Sequence, residues 1–312
     1  MNQAGHRRAH RLETLFADTR HPYGEAGYAA AIAGAEGWGV VDVPEWETAM
    51  LLRPIAGVAR DAAGPYPRAP IPKDADLRAG VERLRSLALV SAVLVPDPLF
   101  APDGETLTAA FSVCRPFKTH FVVDRTAGGY APSKHHRYEI RRALGRCVVE
   151  RVQLRDHLWD WSRLYARLTD RHAIKGPAAF SDGYFAMLGA DPTYATFAAR
   201  AEGRIVAMAI WFEHQGVAVN HLGAADAAGY AAGASYALYD AAIEHYAQCR
   251  HVDLGGAAGV ADDADDGLAR FKRGFANAEA RAFLCGEVLD QAAYARLAAG
   301  RPPTSFFPAY RG

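Results

Sequence analysis

IVAMAIWFEHQGVAVNHLGAADAAGYAAGASYALYDAAIEHYA, residues 205–247, is the stretch that decides the fold. Its first eight residues, Ile205–Phe212, are all apolar. An unbroken apolar strand of that length is buried on both faces, inside a sheet covered by helices. Val217–Leu222 is the next strand. Ser235–Tyr246 is a helix, with Leu238, Tyr239, Ala242, Ile243 and Tyr246 on one stripe. Just upstream, Tyr194–Ala201 is a third strand, joined to Ile205–Phe212 by the tight connection Glu202-Gly203-Arg204.

The flanks extend the pattern. Ser133 offers an N-cap for the helix KHHRYEIRRAL (134–144), and Gly145 can terminate it. Cys147–Val152 is a strand. Asp156–Thr169 is an amphipathic helix on Leu158, Trp161, Leu164, Tyr165 and Leu168. Phe180–Leu188 is a further helix. Downstream, His251–Leu254 is a short strand ending in Gly255-Gly256, Ala280–Cys285 the last strand and Asp290–Leu297 the last helix. In the first half, Val40–Val43, Ala49–Leu52, Leu89–Val95 and Phe121–Asp124 read as strands and Asp76–Leu87 as a helix. Residues 53–76 are rich in proline, which excludes a long regular element. This order predicts an α/β fold, an α+β mixed sheet flanked by helices.

The chain has 312 residues, half of them hydrophobic, enough for about two domains. Thirty-five basic residues balance thirty-five acidic ones, which argues against broad charge-driven binding to DNA or membranes. The four cysteines are far apart and form no CxxC pair, so no zinc ribbon or redox motif is expected. No apolar run approaches the roughly 20 residues of a membrane span. The N-terminal MNQAGHRRAHRLETLF is basic but lacks the apolar core of a signal peptide. A soluble, cytoplasmic protein is the expectation.

Three stretches carry a family resemblance: SKHHRYEIRRALGRCVVE (133–150), residues 205–247, and HVDLGGAAGVADDADDGLARFKRGFAN (251–277), whose DGLxRFKxGF is the most specific piece. They resemble the Fem-type aminoacyltransferases and their GNAT-superfamily relatives. GPYPRAPIP (64–72) is similar to a Tyr/Pro-rich stretch of that family's first lobe. The resemblance implies tandem GNAT-like lobes, a degenerate one over residues 1–130 and a better preserved catalytic one over 131–312. It implies transfer of an acyl or aminoacyl group to an amine, with no tightly bound cofactor and no metal. The donor is then a charged tRNA or an acyl-CoA, and the acceptor a small amine or amino-acid-derived molecule.

Candidate residues follow. Lys272, in RFKRGF, can stabilise the oxyanion of an attacked carbonyl by charge; the plainer reading is a surface lysine. His221, beside Asn220 on a central strand, has the ordinary pKa of a proton relay, or is a satisfied core histidine. Tyr236 can serve as an acid for a leaving group or as packing, and Asp253 and Asp266 are further carboxylate candidates. Gly233, Ala234 and Ser235 occupy the place where acetyl-CoA enzymes cradle pyrophosphate on a helix N-terminus, but lack the usual Arg or Gln; here Ser235 can equally be a plain cap. Lys134, Arg137 and Arg141 share one helix face, flanked by Arg142 and Arg146, and can grip phosphate or simply meet water while Ile140 and Leu144 face the core. His172 and Lys175 in RHAIKG, Arg270, and Tyr66 complete the substrate-binding candidates. ADDADDG (261–267) fails the spacing of a calcium loop and reads as a solvated loop able to act as a lid. His135-His136 lacks a third ligand at recognisable spacing. Competing readings are an ordinary acyl-CoA N-acyltransferase and a non-catalytic binding module on the same fold.

Overall fold

The computed structural model describes residues 20–55, 57, 59–259, 262–263, 266–302 and 304–312. The basic N-terminal stretch lies outside them, as do Ala261, Ala264 and Asp265 of the acidic run. One mixed sheet of eleven strands forms the frame. In chain order the elements are α1 (Ala26–Glu36), β1 (Gly39–Val43), β2 (Thr48–Pro54), β3 (Arg60–Ala63), α2 (Leu77–Ser86), β4 (Ser91–Leu94), α3 (Gly104–Ala110), β5 (Val113–Asp124), α4 (Lys134–Leu144) and β6 (Val148–Val152). Then come α5 (Leu158–His172), α6 (Asp182–Ala190), β7 (Tyr194–Ala201), β8 (Arg204–His214), β9 (Val217–Ala225), α7 (Ala227–Ala232), α8 (Ala234–His245), β10 (His251–Asp253), α9 (Gly267–Arg273), β11 (Ala278–Val288) and α10 (Gln291–Ala298).

Across the sheet the order is β1-β2-β3-β4-β11-β5-β10-β9-β8-β7-β6. Each outer part is an antiparallel meander followed by one parallel pair, β3–β4 on one side and β9–β10 on the other. A helical crossover links each parallel pair, α2 on one side and α7–α8 on the other. The two long central strands are exchanged. β5, from the first half, pairs with β10, and β11, from the end of the chain, pairs with β4. β5 and β11 pair antiparallel with each other from Val122↔Ala278 to Val113↔Gly286.

The apolar run behaves as its sequence requires. Every residue of Ile205–Phe212 is 2% exposed or less. Val206, Ala207, Ala209 and Trp211 pack with α4 and α8 through Ile140, Leu238 and Ala242. Ile205, Met208, Ile210 and Phe212 pack on the other face with Trp161, Leu164, Phe185 and Leu188 of α5 and α6, and with Ile32 of α1. Glu202 and Gly203 both have positive φ, the signature of a two-residue hairpin turn. A separate apolar cluster under α2 and α3 holds Trp46, Met50, Leu84 and Leu107.

Several expectations need correction. β5 begins at Val113 rather than Phe121, because its first half reads CRPFK; Pro116 has no amide to give, and the ladder shifts register beside it, between Lys118 and Pro116. Helices α1 and α3 were not legible, since AGYAAAIAGAE and GETLTAA lack an apolar stripe. Leu144 is 53% exposed; the core side of α4 is Ile140 with Ala143. Among the described residues, no helix is long and apolar enough to cross a membrane.

Ile210→Ala, at the centre of the sheet, is expected to cost about 2–5 kcal/mol by loss of burial and creation of a cavity. Urea unfolding followed by circular dichroism measures it.

Candidate active site

Strands β9 and β10 run side by side only as far as Val219 and Asp253. Beyond that point Leu254 and Gly255 bond to Phe121 of β5, whereas β9 continues along β8 to Ala225. The parallel pair therefore splays. At the splay β9 carries a bulge: Ile210 pairs with Leu222 and Trp211 with Asn220, leaving His221 as the extra residue. Bulges of this kind re-aim a side chain, and they are common beside active sites.

Lys272 reaches the splay from α9 and is 7% exposed. Asp266 caps that helix, accepting from Leu268 N and Ala269 N at 3.0 and 3.1 Å. The Lys272 ammonium donates to Gly256 O at 2.8 Å. An ammonium has three donors, and no other hydrogen-bond acceptor for it is found among the described residues. Burial pushes its pKa down to about 8, opposed by Asp253 and reinforced by Arg68.

Asp253, at the end of β10, is fully buried and heavily engaged. It accepts from Gly255 N at 2.7 Å and lies 3.0 Å from His120 Nδ1 of β5. Arg68, from the loop after β3, donates to the same carboxylate. Arg68 Nε also stands 2.9 Å from Asp97 Oδ2, off the N–H line, so this second contact is an ion pair rather than a formed hydrogen bond. Burial works against the charge on Asp253, but Arg68 and His120 outweigh it and hold the carboxyl below the usual range. Asp97 is shifted the other way, up, by burial.

A chain of aromatic hydroxyls adjoins this cluster. Tyr28 donates to Tyr66 O at 2.7 Å, and Tyr184 donates to the Tyr28 hydroxyl at 3.0 Å. The Tyr184 proton is thereby committed, so His221 Nε2–H must donate to the Tyr184 oxygen, 2.7 Å away. His221 Nδ1 then accepts from the Tyr23 hydroxyl at 2.8 Å. The Arg68 guanidinium lies 5.8 Å from the centroid of the Tyr23 ring and closes the chain. Both nitrogens of His221 are occupied, and burial pulls its pKa to about 3. The expectation of a proton relay at His221 is corrected: no nitrogen is left to take a proton from a substrate at neutral pH.

Other candidates fall elsewhere. The Asp266 carboxylate is spent on capping α9 and on Ala258 N at 3.3 Å, which leaves it poorly placed for acid–base work. Tyr236 packs edge-on against Phe271, with ring centroids 5.0 Å apart, and burial raises its pKa. His136 is no metal ligand in waiting: its Nε2–H donates to Phe271 O at 2.7 Å and its Nδ1 lies 3.0 Å from Ser133 Oγ, tying α4 to α9. Arg137 donates to Pro132 O at 2.6 Å, Arg142 pairs with Glu139 at 3.0 Å, and Arg146 donates to Ala231 O at 3.0 Å. Arg141, His172, Lys175 and Arg270 are exposed and are not drawn into the buried cluster. Tyr66 is partly exposed, its ring 5.8 Å from Phe180, and its carbonyl ends the hydroxyl chain.

The segment expected to be an anion loop is helical. Asp226 caps α7, accepting from Gly229 N at 3.0 Å, and its other oxygen accepts from Arg163 at 3.0 Å. Gly233 has φ +71° and starts α8, Ala234 is buried, and Ser235 makes no capping bond. Sequence reasoning missed Arg68, Asp97 and His120. Their only signal was a charge or imidazole inside otherwise apolar or proline-rich runs, APIP after Arg68 and VLVPDP around Asp97. A cleft of about 410 Å³, lined by Lys73, Pro96, Pro98, Gly104, Arg281 and Phe283 among others, opens beside β4 and does not include Lys272.

A parallel pair splayed beside a bulged strand, with helices on both faces, is the arrangement of the GNAT fold. Residues 133–273 match the family described as an acetyltransferase (GNAT) domain, and the protein is an acyltransferase carrying that domain. Three similar structures span nearly the whole chain. One is the C-terminal domain (DUF2156) of a protein assigned as a lysylphosphatidylglycerol synthetase from Agrobacterium fabrum, 16% identical, covering 94% of both chains at a TM-score of 0.59. FemX is 14% identical over 88% of this chain and 94% of its own, at 0.59. L-PGS from Bacillus licheniformis is 12% identical over 88% and 96%, at 0.55. These likenesses concern the fold. No curated protein sequence matches the chain.

Because His221 is held neutral in the folded state, its protonation favours unfolding. Its share of the stability is full above the unfolded value of about 6.5 and is lost as pH falls from there toward 3. Between those limits the wild type should lose up to about 1.4 kcal/mol more per pH unit than His221→Gln. Urea midpoints from pH 7 to pH 4 measure the difference.

Proposed function

We propose that the protein forms an amide by moving an acyl or aminoacyl group from an activated donor to an amine, with Lys272 as the oxyanion donor. The observation that carries this reading is the nearly buried, under-bonded Lys272 ammonium beside the splay of β9 and β10. Among the described residues no acceptor takes its other two donor positions, and in this reading they serve a substrate oxygen. In a desolvated site a single such charge is worth far more than in water.

The amine nitrogen attacks the donor carbonyl carbon, and the carbonyl oxygen gathers negative charge against Lys272. Collapse breaks the bond from carbon to the ester oxygen or thioester sulfur, and the nitrogen gives up a proton while the leaving group gains one. With His221 fully bonded, the proton passes through the substrates or water. Direct attack needs no covalent enzyme intermediate and no tightly bound cofactor.

The donor we favour is a charged tRNA over acyl-CoA. The segment 230–235 lacks the Arg or Gln of an ordinary acetyl-CoA loop, and Arg137 and Arg141 on exposed faces of α4 suit a phosphate backbone. The similar structure named for lysylphosphatidylglycerol synthesis supports trying aminoacyl groups first. Residues 1–130 and 131–312 act in this reading as two GNAT-like lobes, with the acceptor amine between them and the chemistry in the second. A cytoplasmic site of action is part of the same reading.

Incubation with a pool of charged tRNAs and acyl-CoAs, with mass spectrometry of what is consumed, tests the donor; consumption of acyl-CoA alone would overturn the tRNA reading. Lys272→Ala is expected to lower the rate by about 10²–10³ while the fold persists by circular dichroism. For the wild type, the rate should fall as pH rises through about 8, because the ammonium there loses its proton. A rate that stays level from pH 7 to 10 would remove Lys272 from the chemistry.

A further inference from the structure

The buried charges around Asp253 have a purpose that stability does not explain. Taking an ion cluster out of water costs several kcal/mol per ion, and well-packed apolar residues usually serve a core as well or better. Here a guanidinium stands between two carboxylates, with a histidine at its side, and all are at least nine-tenths buried. One end of the cluster is the Gly255–Gly256 turn, where Asp253 accepts from Gly255 N.

That turn is built to a tight specification. Gly255 has φ +77°, a left-handed conformation that favours glycine, and a Cβ there would stand 3.0 Å from Lys272 Nζ. A Cβ on Gly256 would meet Thr119 O at 3.0 Å. The ammonium therefore rests on bare backbone, bonded to Gly256 O. The turn is held by the backbone pairing of Leu254 and Gly255 with Phe121 and, from a side chain, by the Asp253 carboxylate, which accepts from the amide two residues on, Gly255 N, at 2.7 Å. Asp253 is in turn held by Arg68 and His120, and Arg68 by Asp97.

We propose that Asp253 is a positioning residue for Lys272, acting through the Gly255–Gly256 turn, and that Arg68, Asp97 and His120 of the first half complete the site. This deepens the reading of Lys272 as oxyanion donor and rests on it. It makes the active site composite. Three of the four residues that set the turn lie outside residues 133–273, the segment that matches the GNAT family. The exchange of β5 and β11 explains how: β5 brings His120 beside β10.

The charge state of Lys272 is the readout. The groups that face it are Asp253 on β10 and Asp266 at the head of its own helix, which favour the charged form, and Arg68 and Lys118, from the loop after β3 and from β5, which oppose it. Removing the Asp253 charge deletes one favourable partner and leaves Arg68 less neutralised. Both effects lower the pKa of Lys272.

The test is NMR of the full chain carrying carbon-13 lysine. The sequence has five lysines, and Lys272→Arg identifies the signal of Lys272. In the wild type Lys272 should titrate near 8. Asp253→Asn should move that midpoint down by about one pH unit or more. Asp97→Asn, which touches Arg68 and not the turn, should move it the same way by less, and serves if Asp253→Asn does not fold. A wild-type midpoint at the ordinary lysine value, or a folded Asp253→Asn or Asp97→Asn chain whose Lys272 midpoint stays in place, overturns the proposal. No substrate enters this measurement. A Lys272→Ala chain that keeps full activity would instead sink the oxyanion reading and leave the measured coupling standing.

Discussion

The contact on which the structure turns is the buried ion pair between Arg68 and Asp253. It joins a residue from the proline-rich loop of the first half to the last residue of the short strand where the second parallel pair splays. Neither charge has water to fall back on, so each depends on the other. Removing Asp253 would leave Arg68 to Asp97 alone, and removing Arg68 would leave Asp253 to His120 and Gly255 N, a costly loss in a dry interior either way. The same contact orders Asp97 behind the guanidinium and His120 beside the carboxylate, and through Gly255 it fixes the turn beneath Lys272.

This dependence runs through the exchange of the two long strands. Had β5 closed the sheet of its own half, His120 would have had no route to β10. Because β5 crosses over, His120 of the first half meets Asp253 of the second, and β11 returns the exchange beside β4. The result is one continuous sheet across the whole molecule. A polar seam of tyrosines, histidine and charge runs where the halves meet. Within that seam the tyrosine hydroxyls leave His221 as a neutral, fully bonded link, while Lys272 keeps unmet donors. Two groups with similar burial thus have opposite chemical prospects, and the difference lies in their hydrogen-bond partners.

The elements of the second half were legible because their signals are local. Ile205–Phe212 announces a strand covered on both faces; Ser133 announces a cap; Glu202-Gly203 announces a turn. Lys272 stood out through the resemblance of DGLxRFKxGF to the Fem-type enzymes; its local setting alone reads as a surface lysine. The failures have equally local causes. Helix α1 is rich in alanine and glycine, so no stripe marks its buried face. The first half of β5 hides behind Pro116 and flanking charges. His221 looked like a base because an isolated imidazole titrates near neutrality; only its neighbours Tyr23 and Tyr184, 198 and 37 residues away, show otherwise.

The sequence by itself determined the class of fold and the order of elements in the second half. Both follow from hydrophobic period, capping and turn residues, which act over a few neighbours. Tertiary structure alone decided the pairing of β5 with β10, the meeting of Arg68, Asp97, His120 and Asp253, and the pairing of Asp226 with Arg163. Those outcomes depend on contacts between residues up to 185 positions apart, the span from Arg68 to Asp253. A charge in a single sequence carries no mark of which opposite charge it will meet once both have left water.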